Sequence, residues 1–372
     1  MRERYRYRRI AMCIILALLA AVILVGAEKA LRTFPQIMLP QWQMRYARKG
    51  AEAKIIPDAE VGFLRAPKQR KLIRTLDFTA LFETDDKGFA NREPWPERVH
   101  IVFLGDSLVE GGGVNIDETF ASLIAQKLAN HGVVNLGMAA AGPERQYRIY
   151  QRFGQTLQPS LVVAVWYLAS DLNNDAGFHA WLREGQGIDY NTFRLKVLPK
   201  KRDFHAKLLY RSWLYGMGHE TVLRWLRKDS AMPDSFRFAN GEKILFGKRT
   251  LESMTKAVPV DEARIAALFT SLEKLRVLVW SQRAELMVML LPSKEEIFAP
   301  GVTPGGASVI ARVRQRLQGT NIPVLDLYPV LRDRGATQSP YFSRDIHLNA
   351  YGNRSVAEHF VAWFNSHHTV QK

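Results

Sequence analysis

Eight consecutive residues, Leu161-Val162-Val163-Ala164-Val165-Trp166-Tyr167-Leu168, carry no charge and no turn former. A run this short and this apolar suits a strand covered on both faces, as in the middle of a parallel sheet. Such a strand needs neighbours beside it and helices above and below. Strand-type runs recur at 100–104, Val133–Leu136, Leu286–Leu291 and Val324–Leu327. Between and after them, helical spacing falls at Ala121–Leu128, Gln146–Phe153, Glu262–Gln282, Ala307–Leu317 and Val356–Phe364. In the longest of these, Ile265, Leu268, Leu272, Leu275 and Val279 share one face. This alternation predicts an α/β domain with a five-stranded parallel sheet and helices on both faces.

Two stretches break the rhythm. Residues 29–98 are polar and carry Pro35, Pro40, Pro57, Pro67, Pro94 and Pro96. They read as a stalk and lead-in whose edge segments wrap a domain spanning 99–366. Residues 176–260 are basic and aromatic, with Trp181, Trp213, Tyr215, Phe236 and Phe246 among them. That is too long for a plain loop, so it reads as an insertion with short helices of its own. It leaves from the end of the third strand, on the side where open α/β sheets hold ligands. It either walls a substrate groove or forms an aromatic subdomain with no substrate contact. His367-His368 opens a short tail, 367–372.

At the other end, Arg2, Arg4, Arg6, Arg8 and Arg9 precede 18 uncharged residues, Ile10 to Ala27. Length and flank predict a single membrane-spanning anchor within residues 1–28, with its arginine tip in the cytoplasm and the rest outside. Cleavage after Val25-Gly26-Ala27 is the competing reading; the apolar core is long for a signal peptide. Cys13, the single cysteine, falls inside the bilayer, so no intrachain disulfide exists. The net charge is +16, of which residues 1–9 supply +4. The rest favours anionic surroundings or simple solubility. No zinc-finger or RNA-binding spacing supports a nucleic-acid partner. No histidine or acidic cluster has metal-ligand spacing, and no cofactor is expected.

The chemistry rests on two distant signals. The run Val99–Leu104 stops at Gly105-Asp106-Ser107, which sets a serine at the carboxyl end of a buried strand. A sharp strand-to-helix turn there exposes a hydroxyl. About 240 residues later, Asp345-Ile346-His347 stands in a loop between the fifth strand and the last helix. Residues two apart in extended chain point the same way. Asp345 then fixes the tautomer of His347, and a serine within reach becomes a nucleophile.

Gly105-Asp106-Ser107-Leu108, Gly137 in Asn135-Leu136-Gly137, and Asp345-Ile346-His347-Leu348-Asn349 resemble the SGNH/GDSL hydrolase superfamily over about residues 85–365. Asp86-Lys87-Gly88-Phe89 and Pro292-Ser293-Lys294-Glu295-Glu296 resemble its membrane-anchored bacterial members associated with cell-surface polysaccharides. The resemblance implies a flavodoxin-like three-layer α/β/α domain and a serine esterase, deacetylase or acyltransferase activity. Carried over, Ser107 attacks an ester carbonyl, His347 takes its proton and Asp345 orients the ring. The backbone amides of Ser107 and Gly137 face the oxyanion, each well-aimed donor being worth about 3 kcal/mol of barrier.

This chain departs from the family in two places. Leu168-Ala169-Ser170-Asp171 stands where the family has Gly-x-Asn-Asp, so Ser170 replaces the asparagine donor unless Asn173 or Asn174 curls back. The acid lies two residues before the histidine, and Arg344 fills the slot three before it. The expected function is an inner-membrane, single-pass, extracytoplasmic esterase that removes O-acyl groups from a surface glycan. An O-acyltransferase on the same glycan and a polysaccharide-assembly scaffold without turnover are the rivals.

Overall fold

The computed structural model describes residues 2–34, 37–38, 53–185, 187–197, 212–226, 235–247, 250–251, 254, 261–299 and 309–368. They divide into two compact units, one drawn from Met1–Tyr46 and Lys200–Ala231, the other from Ala47–Pro199 and Met232–Lys372. Much of the predicted 176–260 insertion, the start of the predicted 307–317 helix and the last residues of the tail lie outside the described residues.

Helix α1 runs from Arg2 to Thr33. It is long and apolar enough to cross a membrane, and none of its apolar window is buried. Two antiparallel hairpins follow, β1 (Ile55–Asp58) with β2 (Gly62–Arg65), and β3 (Arg70–Arg74) with β4 (Thr79–Glu83). The main sheet begins at β5 (Val99–Leu104) and leads into a single helical turn, α2 (Ser107–Glu110). Next come α3 (Phe120–Lys127), β6 (Gly132–Asn135), α4 (Pro143–Ile149), β7 (Leu161–Trp166) and α5 (Leu168–Glu184). Helix α6 (Trp213–Leu226) belongs to the first unit, and a third hairpin pairs β8 (Ser235–Arg237) with β9 (Lys243–Leu245). The chain closes through α7 (Glu262–Ser281), β10 (Glu285–Leu290), α8 (Lys294–Phe298), α9 (Val309–Gln318), β11 (Val324–Asp326), α10 (Tyr328–Gly335) and α11 (Ala350–His368).

The five-stranded sheet is parallel, in the order β11-β10-β7-β5-β6. Period two sorts its side chains cleanly. Val102, Leu104, Val162, Ala164, Trp166, Val288 and Leu290 join the core that holds Ile265, Leu268 and Leu272 of α7. Ile101, Phe103, Val163, Val165, Met287 and Met289 join the opposite core, with Phe120 of α3 and Phe360 of α11. The fold is a three-layer α/β/α domain around a five-stranded parallel sheet, as the alternation predicts.

Several boundaries differ from the expectation. The stalk read over 29–98 does not hold together as one segment. Residues 53–98 form two hairpins and a loop belonging to the sheet unit, tied to it by Arg65 on Glu110 and Asp77 on the 344–345 amides. The insertion is likewise divided, since 200–231 group with the N-terminal unit while β8 and β9 belong to the sheet unit. The third strand ends at Trp166, not Leu168: Asp171 accepts from the Tyr167 amide (2.8 Å) and so helps start α5.

Candidate active site

The serine turn is built from local chemistry. Strand β5 ends at Leu104, and Asp106 in extended backbone caps α2 by accepting from the Leu108 amide (2.9 Å). Ser107 therefore occupies the first helical position. Gly112 folds back to donate to the Ser107 carbonyl (2.9 Å). The missing side chain of Gly112 is required by what lies against it. A Cβ there would stand 2.8 Å from His347 Nε2. Gly112 thus leaves room for an imidazole above the helical turn, while Gly111 and Gly113 lie against Thr119 and Phe342.

The imidazole arrives on the loop 341–348, which is pinched shut by a bridge between Tyr341 and Leu348 and by the Phe342 amide donating to the His347 carbonyl (3.1 Å). Asp345 Oδ1 accepts from the His347 backbone amide (3.0 Å) and pairs with its Nδ1. His347 Nε2 lies 2.8 Å from Ser107 Oγ. Three side chains named from the sequence thus meet, the serine and histidine being 240 residues apart.

Two charged side chains hold this loop from opposite sides. Asp77, in the turn between β3 and β4, is 2% exposed. It accepts from the amides of Arg344 (2.6 Å) and Asp345 (2.7 Å) and from Arg344 Nη1 (2.9 Å). Lys294, fully buried at the start of α8, donates to the carbonyls of Ser343 (3.1 Å) and Asp345 (2.8 Å). The peptide groups on both sides of Asp345 are bound by ions, and charge-assisted bonds are the strong ones. Arg344, in the slot where many relatives have their acid, is bound to Asp77.

On the oxyanion side the expected donors have partners within the fold. The Gly137 amide is already occupied: it donates to Asn135 Oδ1 (2.8 Å). Asn135 also donates to the Val109 carbonyl (2.7 Å) and is itself held through Asn91. A Cβ at Gly137 would lie 2.6 Å from the Glu110 amide, so packing against α2 requires a glycine here. Its loop continues beside the serine turn, with the Met138 amide donating to the Gly105 carbonyl (3.0 Å). The Ala141 amide then donates to the Met138 carbonyl, closing a tight turn. The third residue of that turn, Ala140, has φ of 60°, a conformation glycine normally supplies. The amides of Ser107 and Ala140 have no acceptor among the described residues. Arg145, fully buried, braces this loop through the Ala139 carbonyl (2.6 Å) and the hairpin through the Val61 and Phe63 carbonyls. Burial pulls its guanidinium down to about 9.

Ser170 does not offer its proton to the cleft. It donates to Asp106 Oδ2 (3.0 Å). Asn173 and Asn174 lie within α5, so no loop curls back to replace it. Burial raises the Asp106 carboxyl and lifts Asp171 well above the usual carboxylate range, with Asp106 nearby adding to the Asp171 shift. Among the described residues no histidine–acid group has the makings of a metal site.

The sequence reading missed Asp77, Lys294, Gly112 and Ala140. Gly111-Gly112-Gly113 directly after the serine turn was a usable signal. An alanine in a left-handed turn leaves none.

A parallel sheet covered by helices thus carries a serine at the end of β5 and, before the last helix, a histidine–aspartate loop that meets it. Residues 248–371, which carry Asp345 and His347, match the family model described as "SGNH hydrolase-like domain, acetyltransferase AlgX". No curated protein matches the chain. Among solved structures, the chain is similar to a lipolytic G-D-S-L family member from Veillonella parvula (13% identity, TM-score 0.39, 73% of this chain and 99% of that one). A lipase/acylhydrolase from Enterococcus faecalis is similar at 13% identity and TM-score 0.39 (72% and 96%). So is a catalytic mutant of an acetylxylan esterase from Geobacillus stearothermophilus, at 11% identity and TM-score 0.38 (73% and 95%). At such scores these likenesses carry no weight on activity.

Proposed function

We propose that the chain is a membrane-anchored, extracytoplasmic serine esterase that removes O-acyl groups, acetyl foremost, from a cell-surface polysaccharide. The observation that carries the reading is the 2.8 Å approach of His347 Nε2 to Ser107 Oγ, with Asp345 on the other ring nitrogen. Ser107 Oγ attacks the ester carbonyl carbon while His347 Nε2 takes the hydroxyl proton. Asp345 stabilises the imidazolium that forms. The oxyanion is received by the Ser107 amide together with an amide of the 137–140 loop, which runs beside the serine turn. The departing sugar oxygen collects the proton from His347 and leaves an acyl-serine. Water, deprotonated by His347, releases the acid and restores Ser107.

Anchoring rests on the 18 uncharged residues Ile10 to Ala27 within α1 and on the arginine flank before them, which is retained on the cytoplasmic side. A second reading has one specific support, the acetyltransferase named by the matching family model. In that case a sugar hydroxyl replaces water in the second step, on the same acyl-serine.

The test is labelling of the full chain in detergent by a fluorophosphonate probe, followed by aryl-acetate turnover with and without an acceptor glycan. An esterase labels at Ser107 and releases acetate without acceptor. A transferase labels but turns over only when acceptor is added. A folded protein that does not label overturns both readings and leaves the scaffold.

A further inference from the structure

The helix that contains the apolar run does not stop where the run stops. Helix α1 continues past Ala27 to Thr33, and its last turns carry Glu28 and Arg32. The Glu28 carboxylate accepts from the amides of Trp213 (3.1 Å) and Leu214 (2.9 Å) and from Ser212 Oγ (3.2 Å). Those groups form the first turn of α6, whose free amides Glu28 caps. Arg32 forks onto Glu28 (2.9 and 2.6 Å), with its guanidinium 5.4 Å from the Trp213 ring centre. Trp213 is buried with Leu31 and Met38. The start of α6 is therefore fastened to the end of the membrane-crossing run.

Distance decides where that is. Glu28 is one residue past Ala27, about 1.5 Å along a helix. The headgroup layer on each side of the hydrocarbon is about 5–8 Å thick. The start of α6 thus falls within that layer. Facing away from Trp213, α6 presents Tyr215 (39% exposed) and Val222 (54% exposed), with His219 stacked on the Tyr215 ring at 6.3 Å. These positions recur at i, i+4 and i+7, a single face. The chain around α6 is basic in sequence: Lys200, Lys201, Arg202, Lys207 and Arg211 precede it, Arg224 lies within it, and Arg227 and Lys228 follow.

We propose that α6 is an interfacial helix. It lies in the headgroup region of the bilayer that α1 spans, its Tyr215–Val222 face turned into an anionic phospholipid surface. An apolar face flanked by cations is the pattern of helices that lie on membranes rather than cross them. The inference rests on the anchor reading above and goes beyond it, since an anchor alone requires no second contact with lipid.

The test uses the full chain with Cys13→Ser, which removes the only native thiol. It is reconstituted in phosphatidylcholine vesicles containing phosphatidylglycerol and a headgroup-proximal nitroxide lipid. An environment-sensitive fluorophore is attached at Val222→Cys, at Tyr215→Cys as a second position, or at Leu18→Cys inside the span. Labels at 222 and 215 are expected to be quenched at least about twofold more by nitroxide lipid than by aqueous iodide. Iodide quenching without lipid quenching at both positions, while the Leu18 label is lipid-quenched, overturns the inference and leaves the anchor intact. An iodide-quenched Leu18 label overturns the anchor, and this inference with it.

Discussion

The two sides of the candidate site are made in different ways. The serine turn is local: Asp106 caps Leu108 two residues on, and Gly112 closes on Ser107 five residues on. The acid–histidine loop is set by partners far away in sequence. Lys294 reaches it across 49 and 51 positions and Asp77 across 267 and 268. A turn built from neighbours tolerates change elsewhere, whereas a loop held by distant ions inherits every disturbance of their elements. Substitutions on the loop side should therefore alter activity with Ser107 still in place, which the following experiments examine.

Ser107→Ala is expected to have the largest effect, removing probe labelling and lowering esterase turnover by about 10⁴-fold or more, read by steady-state kinetics. Gly112→Ala comes next. Its methyl group would stand 2.8 Å from His347 Nε2 and push the ring aside. A misplacement of about 1 Å costs about 100-fold, so kcat/KM should fall by that order while the thermal midpoint moves little. Asp77→Asn keeps an acceptor oxygen but loses the charge, and should lower kcat about tenfold with KM unchanged. Amide exchange should then rise at 343–347 and stay unchanged at 106–110. Equal loosening of both segments would erase the distinction between the two sides.

The smallest effect is on stability and depends on pH. Burial and Asp106 hold the folded-state pKa of Asp171 well above its unfolded value. The stability this group contributes is full below the unfolded pKa and is lost as pH rises through the folded one. Asp171→Asn, neutral throughout, removes that loss while its carbonyl still accepts from the Tyr167 amide. The variant should gain about 2–4 °C in midpoint over the parent at pH 8, the shift that about 1 kcal/mol gives a domain of this size. The gain should shrink on acidification.

What could be read from the chain follows the same division. The sheet was legible because period two and continuous apolar runs at 99–104, 161–166 and 285–290 are local properties. Ser107, Asp345 and His347 were legible because each sits in a short motif with turn chemistry. The partners of Gly137 and Ser170 were not, since Asn135 and Asp106 engage them through contacts that only the fold creates. Nor were Asp77 and Lys294: a lone aspartate in a hairpin turn and a lone lysine before Glu295 look like surface charge until their partners are known. The edge segments expected in 29–98 are the two hairpins between 55 and 83, whose start the prolines and polar residues do not mark, since both also suit strands at an edge.

The order of the chain adds a consequence in time. Synthesis runs from the amino end, so Ser107 is complete long before residue 347 exists. Until residue 347 has emerged, that hydroxyl lacks the imidazole that lies 2.8 Å from it in the folded chain. On the proposed function, a chain that stops before residue 347 cannot acylate itself.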